Sequence, residues 1–467
     1  MTEVEGIAVT AGMVVAVWGA VLLWRGGILA GCLAVLLSGC CLGYPLFHIP
    51  LQPIPITLDR VLWLVLLGQC VLWRKFGWAT AKPVATADVI LGILVLVLGL
   101  SALAVGPEAG DAKAIAKLVF FFVMPMGMYW AARQADPSDT ATTRLLVCLT
   151  VFGLYLGVTA VGERYDLGWL VMPPYILSTE HAEFLGRARG PLLSPIGNGI
   201  LFGACSAATL LLFARSGRWT RLVLGLALLS MLLGTFLTLT RSVWMGVGAG
   251  LILVGAIQLP SVWRKTVVAS SLLAAVLVVI TQWENLQSFK RDKAVSAEEM
   301  AESARLRPIL AAVAWKMFLD RPLLGCGFGR YGVVAKEYFA DRSMELPLER
   351  ARPYVQHNVL LALLTETGLV GAGLFCALLA IWARDAWRLW RSPQASCLRQ
   401  RQLGPLLLAA EINYMVNGMF HDVAIIPMVN MVLFFLAGAV EGCLRPHENA
   451  AEDVAADAAS QSRRRRE

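Results

Sequence analysis

Charge is scarce in this sequence. Of its 467 residues only 15% are Asp, Glu, Lys or Arg, where soluble domains carry about a quarter. Hydrophobic residues make up 58%, and the mean hydropathy is +0.66. A soluble globule of ordinary composition is excluded. Also missing are the roughly ten-residue apolar–polar alternations of a membrane β-barrel. The acidic start "MTEVEG" lacks the basic region of a signal peptide, so none is expected. Histidines number five, and the connections between apolar runs contain no DxD, HExxH or paired-cysteine pattern, so no metal is called for. The ten cysteines lie mainly inside apolar runs, and Cys326 alone sits clearly in an outer connection, so no disulfide framework is implied.

What the chain has instead is repeated runs of about 20 apolar residues, the length a helix needs to cross a bilayer core. They fall at 6–24, 27–43, 58–74, 87–105, 113–132, 143–162, 196–214, 219–239, 241–259, 266–283, 357–383, 403–420 and 424–443. The expected fold is therefore all-α, a polytopic transmembrane helical bundle of about 12–13 spans. Residues 1–443 read as a single integral-membrane domain, and 444–467 as a disordered tail with few large apolar residues. Short basic connections ("WRKFGW", "RSGRWTR", "WRK", "RDAWRLWRSPQASCLRQR") and the terminal "RRRR" fall on one side, which the positive-inside rule assigns to the cytoplasm. The net charge of +8 is mostly this signal and gives little support to nucleic-acid binding. The connections at 44–57, 106–112, 163–195 and 284–356 then lie outside. Within the last, Leu306, Ile309, Leu310, Val313, Met317 and Phe318 recur at helical spacing. They predict an amphipathic helix on the membrane surface or capping the bundle.

Polar residues gather at the outer ends of spans, in three places. "EFLGRARGPLLSPIGNGILFG" brings Arg187 and Arg189 to a glycine- and proline-punctuated entry into a span, followed by Asn198. Guanidinium forks and helix N-termini suit phosphate, and interfacial snorkelling of arginine is the competing reading. "TFLTLTRSVWMG" places Arg241 in a hairpin where two apolar runs nearly meet, a position costly for a cation that faces lipid. A structural arginine bonded to helix-end carbonyls is the alternative there. "RPYVQHNVLLALLTETGLVG" opens a span with His357 and Asn358. A neutral imidazole there can take a proton, and a satisfied structural histidine is the competing reading. Glu366 is nine positions on, two and a half turns away on the opposite face, so it is no partner for His357. It is expected to pair inside the bundle near Gly368 and Gly371. His48, His181 and His421 read as structural, and the glycines of "DRPLLGCGFGRYG" as a turn shaping a cavity, without the strand–loop–helix setting of a dinucleotide site.

Taken in order, "RARGPLLSPIGNG", "TLTRS", "FLDRPLLGCGFGRYG" and "HNVLLALLTETGLVG" resemble the O-antigen ligase/polymerase superfamily over roughly Arg187 to Gly371. Arg187 and Gly190 fit that family's arginine–glycine frame, but "PIGN" stands where polymerase-like members often have proline–asparagine, leaving open which of Arg187 and Arg189 is principal. Family members are usually described with twelve spans and both termini inside. One of the first two runs here would then be interfacial or re-entrant.

The resemblance implies a GT-C-type glycosyltransferase of the bacterial inner membrane, working on the periplasmic face without metal or other cofactor. Its substrates would be an undecaprenyl-diphosphate-linked glycan and the lipid A–core, joined with inversion, and nucleic acid is no partner. On this reading Arg187, Arg189 and Arg241 hold the diphosphate, His357 is the base, Asn358 orients the acceptor or caps its helix, and loop 284–356 caps the site. Polymerase, oligosaccharyltransferase and lipid-linked-sugar transporter remain as alternatives.

Overall fold

A computed structural model describes residues 26–44, 48, 55–79, 82–103, 111–135, 137–181, 183–260, 262–266, 268–270, 281, 297–340, 347–348, 357–392 and 399–444. Of the expected spans, 6–24 lies outside these residues, 266–283 largely so, and the tail 445–467 entirely. Every other expected span coincides with a helix, and among the described residues there is no β-strand element.

The helices are α1 (Gly26–Cys41), α2 (Leu58–Lys75) and α3 (Thr86–Leu103). Next come α4 (Asp111–Leu118), a π-helical turn at Val119–Val123, α5 (Met124–Gln134) and α6 (Asp139–Tyr165). Then follow α7 (Pro195–Phe213), α8 (Arg218–Leu237) and α9 (Arg241–Gln258). The connection that follows α9 contributes α10 (Ala297–Asp320), and α11 (Val359–Arg391), α12 (Leu403–Gly418) and α13 (Pro427–Cys443) complete the bundle. Among the described residues seven helices are long and apolar enough to cross a membrane, and α1 and α13 are shorter apolar helices. The protein is a multi-pass membrane helical bundle.

Two tightly packed centres organise it. The α5–α13 pair closes on itself through Gly438 and Gly442. A Cβ at Gly438 would lie 2.2 Å from Tyr129 O, and one at Gly442 2.8 Å from Arg133 O. Small residues four apart let helix backbones approach where lipid offers no hydrophobic drive for association. The second centre is α12, packed against α7, α9 and α11. Asn413 on α12 donates to Ile200 O of α7 (3.2 Å), and Asn417 donates to Asn413 Oδ1 (2.9 Å), satisfying polar groups that lipid would leave stranded.

The amphipathic face of α10 is buried as its spacing predicts: Val313 and Met317 are 0% and 1% exposed. It packs on α11 and on Cys326, Tyr331 and Phe339 of the following segment, and so caps the bundle.

Candidate active site

The arginine–glycine segment is a tightly held loop. Glu163, in the last turn of α6, accepts from Arg189 N (3.0 Å) and Gly190 N (2.9 Å) with its two oxygens. Gly190 has φ +57°, and a Cβ there would lie 2.7 Å from the Asn198 side chain. Asn198 itself donates to Ala188 O (3.1 Å), while Ser194 caps α7 by accepting from Gly197 N (3.2 Å).

This loop sits on the α8–α9 hairpin. Ala188 N donates to Leu237 O (2.9 Å), Arg187 Nε to Thr238 O (3.1 Å) and Arg187 Nη2 to Thr240 Oγ1 (2.5 Å). Thr240 immediately precedes Arg241, the first residue of α9. Arg187 therefore bonds the hairpin that carries Arg241. Thr240 Oγ1 donates back to Thr238 O (3.0 Å), and its side chain does not cap α9. The α9 N-terminus thus adds its own N–H groups and positive dipole end beside Arg187 and Arg241, a setting suited to a phosphate.

Arg189 behaves differently. Its guanidinium donates to Ile176 O (2.6 Å), Glu183 O (2.6 Å) and Ser178 O (3.4 Å), and the residue is 1% exposed. It ties the 176–183 segment to the loop, and burial lowers its pKa against the opposing pull of Glu163 and Glu183.

His357 and Asn358 lie at the N-terminus of α11. Asn358 Oδ1 accepts from Leu361 N (3.0 Å), capping the helix, and its Nδ2 donates to Met419 O (3.0 Å) in the α12–α13 turn. His357 lines a cavity of about 310 Å³ with Arg307, Pro308, Asn358, Leu361 and Phe420. Partial burial, and next the charge of Arg307, hold its imidazole below the usual histidine range. The ring is therefore neutral near pH 7, the form that can accept a proton. The lining of this cavity includes neither Arg187 nor Arg241. What relates them is topology: both α9 and α11 begin at this end of the bundle, and both pack on α12.

Glu366 is not near His357 but pins the glycine-rich turn, accepting from Gly329 N (2.9 Å) and Tyr331 N (3.3 Å). The surrounding geometry explains the glycines. At Gly368 (φ +65°, ψ −162°) α11 is broken, and the segment 322–327 lies in the break. Cys326 N donates to Thr365 O (2.9 Å), Gly327 N to Glu366 O (3.0 Å) and Leu369 N to Pro322 O (2.8 Å). A Cβ on Gly368 would lie 2.3 Å from Leu323 C, and one on Gly325 2.4 Å from Glu366 C. The turn supplies the partners that the broken helix needs, since lipid supplies none.

Sequence reading missed Glu163, Arg307 and the loop-holding role of Glu366. Glu163 was visible only as an acid at a span end, and Arg307 as one of several charges on an amphipathic helix, beside Pro308. Among the described residues no group of three or more His, Cys, Asp or Glu is arranged to hold a metal ion.

Comparison with curated proteins gives no match. The family model described as O-Antigen ligase matches residues 226–376, from within α8 through the break in α11. That stretch contains the Arg241 hairpin, the α10 cap, the glycine turn and the His357 helix start. Over these residues, about a third of the chain, the protein is similar to the O-antigen ligase family.

Proposed function

We propose that the protein is an O-antigen ligase, transferring a glycan from undecaprenyl diphosphate to a sugar hydroxyl of lipid A–core at the periplasmic face of the inner membrane. The observation that carries this is that Arg187 bonds the hairpin from which Arg241 opens α9, at the bundle end where His357 lines a cavity.

In the reaction, His357 takes the proton of the acceptor hydroxyl as its oxygen bonds to the anomeric carbon. The bond from that carbon to the diphosphate oxygen breaks, and the lipid diphosphate leaves with the electron pair. Negative charge grows on the leaving group, so cations fixed there in advance lower the barrier. Attack opposite the leaving group inverts the anomeric centre. Arg189 and Asn358 support this site through the loop and the helix cap that they hold.

The same resemblance extends to polymerases, which share the donor chemistry and differ in the acceptor. The broken α11 favours a further reading, a transporter, because broken helices line many transport sites. Here the break is filled by the backbone of 322–327, which argues for a fixed scaffold.

The test is transfer by purified, reconstituted protein given a lipid-diphosphate glycan and chelator, with or without lipid A–core. Product that requires the core is expected. Lengthened lipid-linked chains without core would identify a polymerase, and donor binding without covalent product a transporter.

A further inference from the structure

A second polar cavity, of about 240 Å³, lies at the opposite end of the bundle. The C-terminal ends of α7, α9 and α11 and the start of α12 enclose it, with Arg215, Gln258, Trp390, Arg401 and Gln402 among its lining. Among the described residues no acidic side chain lines it. From the arginine–histidine end it is separated by the length of α7, 19 residues or about 28 Å, close to the thickness of a bilayer core.

Its parts are fixed. Arg401 Nε donates to Trp390 O (2.9 Å), which anchors that guanidinium at the cavity wall. Gln402 is 4% exposed, and its Nε2 donates to Leu211 O (3.4 Å). Its Oε1 is buried without a hydrogen-bond partner among the described residues, an acceptor that calls for a donor. Beyond Trp390, Arg264 lies with its guanidinium carbon 5.8 Å from the ring centroid, and donates to Ala256 O (3.0 Å) at the end of α9. It thereby offsets helix-end carbonyls that would otherwise repel an anion.

We propose that this cavity binds the phosphate of an anionic, hydroxyl-bearing phospholipid headgroup, of the phosphatidylglycerol class. Guanidinium forks at Arg215 and Arg401 meet the phosphate oxygens, and a headgroup hydroxyl supplies the donor for Gln402 Oε1. Trp390 and the aliphatic lining suit the interface where a headgroup joins its acyl chains. Basic cavities between membrane helices recognise such headgroups. The assignment is independent of the transfer reaction, because it concerns the other end of the bundle.

The experiment uses full-length protein in nanodiscs of phosphatidylcholine with a minor fraction of phosphatidylglycerol, and native mass spectrometry to count retained lipids. Wild type is expected to retain phosphatidylglycerol with about tenfold preference. Arg215→Gln/Arg401→Gln is expected to lose that preference. Arg215→Lys/Arg401→Lys is expected to keep part of it, which separates lost charge from lost fold. Arg74→Gln/Lys75→Gln, at another basic connection, is expected to leave it intact.

Equal preference in wild type and the glutamine variant would overturn the proposal, as would equal loss in the Arg74/Lys75 variant, which would mean diffuse surface charge. Thermal stabilisation by inorganic phosphate alone, with no lipid preference, would identify a free-phosphate site and overturn the lipid assignment.

Discussion

At the residue scale, the three arginines of the motifs divide by what their guanidinium groups touch. Arg187 and Arg189 are both buried, but Arg187 donates to Thr238 O and Thr240 Oγ1 of the hairpin that begins α9, whereas Arg189 donates to carbonyls of the 176–183 segment. Arg187→Ala and Arg241→Ala are each expected to slow transfer by about 10²–10³ while the protein stays folded. Arg189→Ala is expected instead to lower the melting temperature. Measuring kcat/KM and Tm on the three variants checks this, and equal stability loss in all three would contradict the division. The arginines were legible because cations at span ends stand out against apolar runs. Their division was not, because the carbonyls that engage Arg189 belong to a connection whose path hydropathy does not encode. Asn358 shows the same limit: a polar residue beside His357 invites a substrate role, and the structure gives it a cap and a tie to Met419.

His357 also carries a pH dependence. Its pKa is lowered, first by burial and then by Arg307, so the neutral base persists to lower pH than a free imidazole allows. The acid limb of kcat/KM is expected below about pH 6.5. Arg307→Gln removes the repelling cation, so the limb is expected to move upward in pH. A limb that stays in place or moves down would count against His357 as the titrating base.

At the element scale, apolar length made the helices visible, and periodicity made the buried face of α10 visible. The break in α11 was hidden, because a window of hydropathy registers apolar side chains and not a change of φ at Gly368. The expected span 357–383, 27 residues, would be about 40 Å long as one straight helix, beyond a bilayer core of about 30 Å. That mismatch was the available signal. Gly368→Ala forces a Cβ onto Leu323 and holds a non-glycine residue at positive φ. A loss of about 1–3 kcal/mol is expected from the strained backbone, with more from the clash. Gly373→Ala serves as the control, since a Cβ there meets nothing within 4 Å. Equal Tm shifts in the two variants would contradict the account of the break.

At the scale of the whole molecule, the bundle separates two polar ends by its apolar thickness. One end gathers Arg241 and His357 at helix starts with Arg187 on the adjoining loop, and the other gathers Arg215, Arg401 and Arg264 at helix ends and connections. Fold class was legible from composition, since scarce charge and apolar runs leave few architectures. The way α12 joins α7, α9 and α11 was not, because it rests on buried amides such as Asn413 and Asn417 that read as ordinary polar interruptions.

The measurement that bears most directly on the central claim is transfer by His357→Ala, with donor binding measured on the same preparation. Loss of a general base is expected to reduce transfer to lipid A–core by about 10²–10⁴, with donor affinity unchanged. Transfer at the wild-type rate would contradict His357 as the base and with it the reading of this end of the bundle as the transferase site.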